Sequence, residues 1–140
     1  TSEYRNAGRF RWVEVEQLFE MSDVLTLHCP LTPETSELVN SRTLSRMKRS
    51  ALLINTSRGK LIEYEALADA LDKGIIAGAA VDVLAVEPPT SGHPLYSVSN
   101  CLITPHIAWA SKEARGRLLQ TAVENMEAYA AGSPLRVVNK

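Results

Sequence analysis

The sequence contains little cysteine, few aromatic residues and almost no net charge. Only two cysteines occur among 140 residues, which excludes the disulfide-framework class of small secreted domains. A net charge of −1 argues against a nucleic-acid-binding protein, whose surface usually shows a clear excess of basic residues. No apolar run approaches the ~20 residues that a membrane-spanning helix needs. The opening stretch TSEYRNAGRF lacks the apolar core of a secretory signal, so we expect a cytoplasmic protein with reduced cysteines.

The apolar residues are concentrated in short runs that are separated by helix-like segments. The runs are continuous rather than alternating, which is typical of parallel strands buried on both faces of a sheet. These predicted strands occupy residues 24–28, 51–55, 76–83 and 101–104. Amphipathic patterns predict helices at residues 14–21, 41–48, 63–73 and 111–131. Because strands that alternate with helices form right-handed crossovers, the sequence predicts a doubly wound α/β domain.

Charged side chains occur where the predicted strands end. Arg58 follows the second strand, Asp82 and Glu87 lie at and after the end of the third, and His106 follows the fourth. In open α/β sheets ligands bind outside the carboxyl ends of the strands, so we expect these side chains to converge. An arginine grips a carboxylate through two parallel hydrogen bonds, a histidine exchanges protons near neutral pH, and a neighbouring glutamate favours the protonated imidazole. The set suits the reduction of a keto acid by hydride from a cofactor.

Each of these residues also has a plainer interpretation, which the residues alone leave open. Arg58 could form a surface ion pair, and Asp82 could cap a turn. The other titratable residues have similar alternatives: a solvated loop position for Glu87, a backbone-bonded structural role for His28 and His106, and an exposed turn for His93.

Four separated stretches resemble one protein family, in the same order along the chain. They read SDVLTLHCPLTPET, MKRSALLINTSRGKLI, AAVDVLAVEPP and NCLITPHIAWASKEA, and the likeness covers nearly all of residues 13–139. The chain resembles the D-isomer-specific 2-hydroxyacid dehydrogenases. Within that family it is most similar to the bacterial glycerate dehydrogenase (hydroxypyruvate reductase) branch, because Trp109 stands where many relatives carry a small residue.

The resemblance implies catalytic roles for three residues. The family's catalytic arginine corresponds to Arg58 in NTSRG, its glutamate to Glu87 in VEPP, and its proton-donating histidine to His106 in TPHIA. In such an enzyme Arg58 binds the carboxylate and carbonyl edge of hydroxypyruvate or a similar 2-oxo acid. His106, paired with Glu87, gives its proton to the carbonyl oxygen and acts as the base in the reverse direction.

The resemblance also implies a nicotinamide cofactor and no metal. We expect NAD, with NADP as an alternative, because the family's residue that recognises the adenosine ribose would lie at or before Thr1. Asp82 would hold the nicotinamide carboxamide. The cofactor contacts that the resemblance implies are Cys29, Pro30, Thr35, Thr56, Ser57, Arg58, Asp82, His106 and Ala108.

The chain lacks the motif G-x-G-x-x-G, which binds a pyrophosphate at a helix N-terminus. The resemblance therefore implies the second half of a Rossmann-type parallel sheet: a partial NAD-binding domain over residues 1–140, with a C-terminal helix and tail at 111–140 and no substrate domain. We expect this fragment to be inactive alone. We expect the full-length form to be a homodimer that binds a small 2-oxo or 2-hydroxy acid, and not nucleic acid or a membrane.

Two other functions stay open at this point. The same fold serves some corepressors as a dinucleotide-gated scaffold for protein partners, and such relatives retain the Arg–Glu–His set. A dinucleotide-sensing interaction module is therefore the alternative to a dehydrogenase. The chain could also be an inert truncation product.

Overall fold

The computed structural model describes residues 11–89 and 92–138, and the chain divides into two compact units. The first unit is Thr1–Pro105 and the second is His106–Lys140. The strands of the first unit are β1 (Val24–Leu27), β2 (Leu52–Asn55), β3 (Gly78–Val81) and β4 (Cys101–Ile103). Its helices are α1 (Val15–Met21), α2 (Ser41–Leu44) and α3 (Tyr64–Asp72), with 3-10 turns at Gly59–Leu61 and Pro94–Ser97. The second unit contains α4 (Lys112–Ala130).

The four strands form one sheet in the order β1-β2-β3-β4, and every neighbouring pair is parallel. Val24 lies opposite Leu52, which in turn lies opposite Gly78, so the first residues of β1, β2 and β3 are in register. The predicted α/β class with a parallel sheet is confirmed. As a consequence of the parallel order, β1 to β4 all end at the same edge of the sheet, and the segments that follow them begin there.

The core lies on one face of the sheet, where α1, α2 and α3 pack. It joins Phe19 of α1 and Leu44 of α2 to Leu67 and Leu71 of α3, over the inward residues of the strands. Alternate residues of the strands point to the other face, and several of them are exposed: Val24 by 53%, Leu52 by 44% and Leu102 by 64%. The prediction that the strands are buried on both faces is therefore wrong for the part of the chain that the structure describes. A continuous apolar run makes both faces of a strand apolar, but it does not supply the elements that cover them.

Local signals explain where the helices begin and end. Asn40 caps α2. Its side chain accepts hydrogen bonds from the amides of Arg42 and Thr43, and the Thr43 hydroxyl oxygen accepts one from the Asn40 amide. The predicted helix at 41–48 is shorter, because the Met47 amide donates to the Leu44 carbonyl in the pattern of a 3-10 turn. After α3, Gly74 has φ +62°, a left-handed conformation that ends the helix.

The basic stretch around α2 is an ion-paired surface. Its exposed cations pair with acids on or just after α1, in the pairs Arg42–Glu16, Arg46–Glu20 and Lys48–Asp23. Such pairs contribute little stability individually. Because each of these exposed cations has an acidic partner, this stretch is a solvated, ion-paired helix surface.

The second unit is dominated by α4. Ser111 caps this helix, since its hydroxyl accepts a hydrogen bond of 3.1 Å from the Ala114 amide. No residue of α4 is buried, and Leu118, Met126 and Tyr129 are more than half exposed. The predicted helix is present, and these three large side chains are exposed. Within residues 11–89 and 92–138, no helix combines the length and the apolar character that crossing a membrane requires.

Candidate active site

The turn after β2 is shaped by Asn55, a fully buried residue at the end of the strand. Its side-chain oxygen accepts a hydrogen bond of 3.0 Å from the Ser57 amide, and its side-chain nitrogen donates one of 2.9 Å to the Arg58 carbonyl. An asparagine that bonds to the backbone just beyond it builds a tight turn. The turn therefore presents Arg58 directly outside the sheet. Sequence reasoning assigned Asn55 no role, although an asparagine at a strand end before polar residues is a recognisable signal for such a turn.

The loops after β1 and β2 form a cleft of about 660 Å³. The Ser57 hydroxyl donates a hydrogen bond of 2.8 Å to the Cys29 carbonyl and so fixes the two loops to each other. The residues that line the cleft are His28, Cys29, Pro30, Leu31, Ser57 and Arg58. Four predicted cofactor contacts, Cys29, Pro30, Ser57 and Arg58, are thus brought together.

Two other predicted cofactor contacts belong to the same loops. The Thr35 hydroxyl donates a 2.7 Å hydrogen bond to the Pro30 carbonyl and accepts one of 2.8 Å from the Thr32 amide, so Thr35 shapes the loop that carries Pro30. Thr56 is exposed between Asn55 and Ser57 in the turn after β2.

The cleft carries the fixed positive charge of Arg58. His28 and Arg58 contribute basic side chains, and none of the described residues that line it is acidic. Its size is within the range of pockets that hold small molecules and cofactors. One guanidinium nitrogen of Arg58 donates a 2.8 Å hydrogen bond to the Ser57 carbonyl, and a guanidinium carries five N–H donors in all. Arg58 therefore fits an anionic ligand such as a carboxylate.

Gly59 brings the Arg58 loop against the loop after β3. A Cβ atom at this position would lie 2.1 Å from the Leu84 carbonyl carbon and 2.4 Å from the Ala85 nitrogen. Only glycine permits such an approach of two backbone segments. The contact matters for the site because Leu84 also holds Glu87: the Leu84 amide donates a 2.7 Å hydrogen bond to Oε1 of Glu87.

Replacing Gly59 by alanine is expected to lower the free energy of unfolding by about 1–3 kcal/mol. The added Cβ would clash with backbone atoms, which cannot move away as a flexible side chain can. Thermal unfolding should show this as a fall of several degrees in Tm. Gly116→Ala is the matched control: Gly116 lies inside α4 with no atom within 4 Å of its added Cβ, so this variant should keep or slightly raise Tm. An unchanged Tm for Gly59→Ala would contradict the close approach to Leu84.

Asp82 is a buried carboxylate at the end of β3, with 5% of its surface exposed. The Thr104 hydroxyl donates a hydrogen bond to its Oδ1, and its own amide donates one of 2.9 Å to the Asn55 carbonyl. Asp82 therefore connects the carboxyl ends of β2, β3 and β4. Thr104 was given no role from the sequence; its position directly after a predicted strand was the available signal.

His106 is the first residue of the second unit and is exposed. Its backbone is left-handed, with φ +54°, which is uncommon for a residue with a side chain. The indole N–H of Trp109 donates a 2.8 Å hydrogen bond to the His106 carbonyl, and the Ala110 amide donates one of 2.9 Å to the Ile107 carbonyl. Trp109, which the sequence marks as characteristic of one branch, thus holds the turn that presents the imidazole. Ala108 is exposed in the same turn.

The predicted catalytic residues are therefore divided between the two units. Arg58 and Glu87 lie in the first, on loops that touch through Gly59 and Leu84, and His106 opens the second. His93, predicted as an exposed turn residue, is partly buried instead: its Nδ1 accepts a 3.3 Å hydrogen bond from the Leu95 amide, and its ring packs on Tyr64. The sequence around His93 contains only turn residues, so nothing local indicated this contact.

Residues 1–108 match the D-isomer specific 2-hydroxyacid dehydrogenase, NAD binding domain. The chain belongs to this family. The match includes Arg58, Glu87 and His106. It confirms the resemblance seen in the four sequence stretches and the assignment of the chain to an NAD-binding domain, with NAD as the family's cofactor.

Relatives in the dehydrogenase family agree with this assignment. The chain is 48% identical over 130 residues to a hydroxypyruvate reductase of Blautia hydrogenotrophica. The alignment covers 93% of the chain and 40% of the reductase. It is also 49% identical over 128 residues to a glycerate dehydrogenase of Methylorubrum extorquens. That alignment covers 90% of the chain and 41% of the dehydrogenase. The chain thus spans about two-fifths of the length of these dehydrogenases. Both belong to the branch that Trp109 favours.

A solved structure shows the same fold. The D-isomer specific 2-hydroxyacid dehydrogenase of Lactobacillus delbrueckii ssp. bulgaricus, in its NAD complexed form, superimposes with a TM-score of 0.79 at 31% identity. The match covers 91% of the chain and 43% of that structure. The four-stranded parallel sheet is therefore part of this family's nucleotide-binding fold.

Proposed function

We propose that the chain is part of an oxidoreductase that transfers a hydride between NAD and a D-2-hydroxy acid or its 2-oxo acid, with glycerate and hydroxypyruvate as the substrate pair. The observation that carries this proposal is the family match over residues 1–108, which contains Arg58, Glu87 and His106 in their motifs. The substrate pair follows the names of the two relatives at 48% and 49% identity.

Arg58 is proposed to bind the substrate carboxylate. It stands just after a parallel strand in a cleft whose described lining contains no acidic side chain, and its planar guanidinium can form two parallel hydrogen bonds to a carboxylate. This fixes the 2-oxo acid by its charged end and leaves the neighbouring carbonyl group oriented for reaction. NAD, when bound, supplies or accepts the hydride.

His106 is proposed to donate a proton to the carbonyl oxygen of the substrate, and to remove the hydroxyl proton in the opposite direction. Its imidazole is exposed, and its backbone is fixed by the Trp109 indole. Glu87 is proposed to act as the carboxylate that favours the protonated imidazole. One oxygen of that carboxylate is held by the Leu84 amide, which limits the directions in which Glu87 can point.

Among the cofactor contacts, we propose that the cleft lined by Cys29, Pro30, Ser57 and Arg58 receives part of the dinucleotide. Ser57 keeps the two loops that form this cleft together. We propose Asp82, fixed by Thr104, as the contact of the nicotinamide carboxamide. We further propose that the complete enzyme is a homodimer.

The first test compares the 140-residue chain with the full-length polypeptide encoded by the reading frame that contains it. We expect the full-length polypeptide to oxidise NADH when hydroxypyruvate is added, with lower kcat/KM for glyoxylate and pyruvate. We expect no turnover by the 140-residue chain alone, because it contains no G-x-G-x-x-G loop for the pyrophosphate.

The same assay separates the possible failures. Turnover by the 140-residue chain alone would contradict the proposed dependence on further sequence. A full-length polypeptide that binds NADH, seen by quenching of protein fluorescence, but reduces none of the three 2-oxo acids would contradict the proposed dehydrogenase.

A further inference from the structure

Tyr64 occupies the point where the loops after β2 and β3 meet. It is the first residue of α3 and is 7% exposed. Its hydroxyl lies 3.1 Å from the Gly59 carbonyl oxygen and 3.1 Å from the Val83 carbonyl oxygen. The phenol therefore bridges two backbone segments that are far apart in the sequence.

A tyrosine hydroxyl has one hydrogen, so the two carbonyl oxygens share a single donor. The Gly59 oxygen also accepts a 3.1 Å hydrogen bond from the Ile62 amide, and this bond does not depend on Tyr64. Loss of the hydroxyl would therefore act on the Val83 side and release the loop after β3 from the loop after β2. A buried carbonyl that loses its donor costs about 1–3 kcal/mol, which favours movement of the loop.

Both bridged segments lead directly to proposed site residues. Gly59 follows Arg58 in the chain. Val83 precedes Leu84, whose amide holds the carboxylate of Glu87. The charge of this carboxylate also affects the phenol. Burial raises the pKa of Tyr64, the charge of Glu87 raises it further, and a hydrogen bond with the Ala85 backbone partly offsets the increase. The hydroxyl accordingly keeps its proton and remains a donor.

The ring of Tyr64 is held from another direction by His93. The two ring centroids are 4.6 Å apart in an edge-to-face arrangement. The His93 ring is itself fixed, since its Nδ1 accepts a hydrogen bond from the Leu95 amide at the start of a 3-10 turn. Phenylalanine at position 64 would keep this packing and lose only the hydroxyl, so the two contributions can be separated.

We propose that Tyr64 is a positioning residue of the dehydrogenase site, whose hydroxyl sets the Arg58 loop and the Glu87 loop at a fixed separation. This inference rests on the proposed function, in which Arg58 holds the substrate carboxylate and Glu87 supports His106. Tyr64 need not touch substrate or cofactor: it acts through the backbone of Gly59 and Val83.

The test is Tyr64→Phe in the full-length polypeptide. We expect kcat/KM for hydroxypyruvate to fall about 5- to 10-fold, the effect of one neutral hydrogen bond, and NADH affinity to change much less. Tyr129→Phe is the matched control, because Tyr129 is an exposed residue of α4, and it should leave kcat/KM unchanged. Equal losses in NADH affinity and kcat/KM would point to general destabilisation and overturn the inference.

A double-variant cycle with Glu87→Gln gives a readout that a purely structural residue would not move. If Tyr64 works through the Glu87 loop, the combined variant should lose less activity than the product of the two single losses. Losses that simply multiply would overturn the inference.

Hydrogen exchange tests the bridge without relying on catalysis or on full stability of the variant. In Tyr64→Phe, amides in the segment 83–87 should exchange faster, whereas those of α4 should be unchanged. Unchanged exchange in 83–87 would overturn the inference even if the enzyme were active. Absence of 2-oxo acid reduction in the wild-type polypeptide would instead refute the proposed function, and the exchange result would still decide whether Tyr64 fixes the two loops.

Discussion

Replacing His106 by asparagine is expected to lower kcat for hydroxypyruvate reduction by about 10²- to 10⁴-fold, because general acid catalysis by a positioned side chain contributes that much. An asparagine amide can donate a hydrogen bond to the substrate oxygen, but its N–H protons are far too weakly acidic to be transferred. KM should change much less than kcat, since substrate binding is assigned to Arg58. The measurement is steady-state kinetics of NADH oxidation by the full-length polypeptide.

Asparagine is the appropriate replacement because His106 has φ +54°. Asparagine tolerates left-handed backbone better than most residues do, so the turn bonded to Trp109 should be preserved. His106→Ala should show the same loss of kcat and a lower Tm than His106→Asn, because asparagine tolerates left-handed backbone better than alanine does.

Arg136→Asn is the control for the backbone, because Arg136 also has φ +54° and pairs with Glu124 on an exposed surface. We expect this variant to keep wild-type kcat. Wild-type kcat in His106→Asn would eliminate His106 as the proton donor, whatever the control shows.

Replacing Arg58 by alanine is expected to reduce kcat/KM for the 2-oxo acid by about 10²- to 10⁴-fold. A hydrogen bond to a charged group contributes about 1.5–3 kcal/mol, and a bidentate guanidinium–carboxylate pair has two of them. KM should rise strongly, because the lost contacts already exist in the substrate complex. The Tm should change little, since the Arg58 side chain is exposed and Asn55 holds the turn.

Two further variants refine the Arg58 result. Arg58→Lys keeps the charge but not the planar fork, so it should fall between the wild type and Arg58→Ala. Lys60→Ala removes another exposed cation from the same segment and should leave kcat/KM unchanged. If Lys60→Ala were as damaging as Arg58→Ala, the effect would come from the general charge of this surface and not from a specific carboxylate contact.

The sequence by itself was sufficient for the fold class and for the positions of the proposed site residues. Apolar runs that alternate with amphipathic segments predict parallel strands joined by helices, and β1 to β4 occur where the runs are. The motif around Arg58 lies directly after β2 for the same reason. These features are local. The periodicity of a strand or helix, and the residues that follow it, can be read from a short stretch of consecutive residues.

The tertiary structure decided how the strand-end loops are fixed to one another. Gly59 meets Leu84, Tyr64 bonds to Val83, and Thr104 holds Asp82, yet these partners are 19 to 25 positions apart in the chain. No local pattern encodes such contacts, and a tyrosine at the start of a helix is an ordinary residue. The exposure of one sheet face was likewise undetermined, because an apolar run specifies what a strand can bury and not which element covers it.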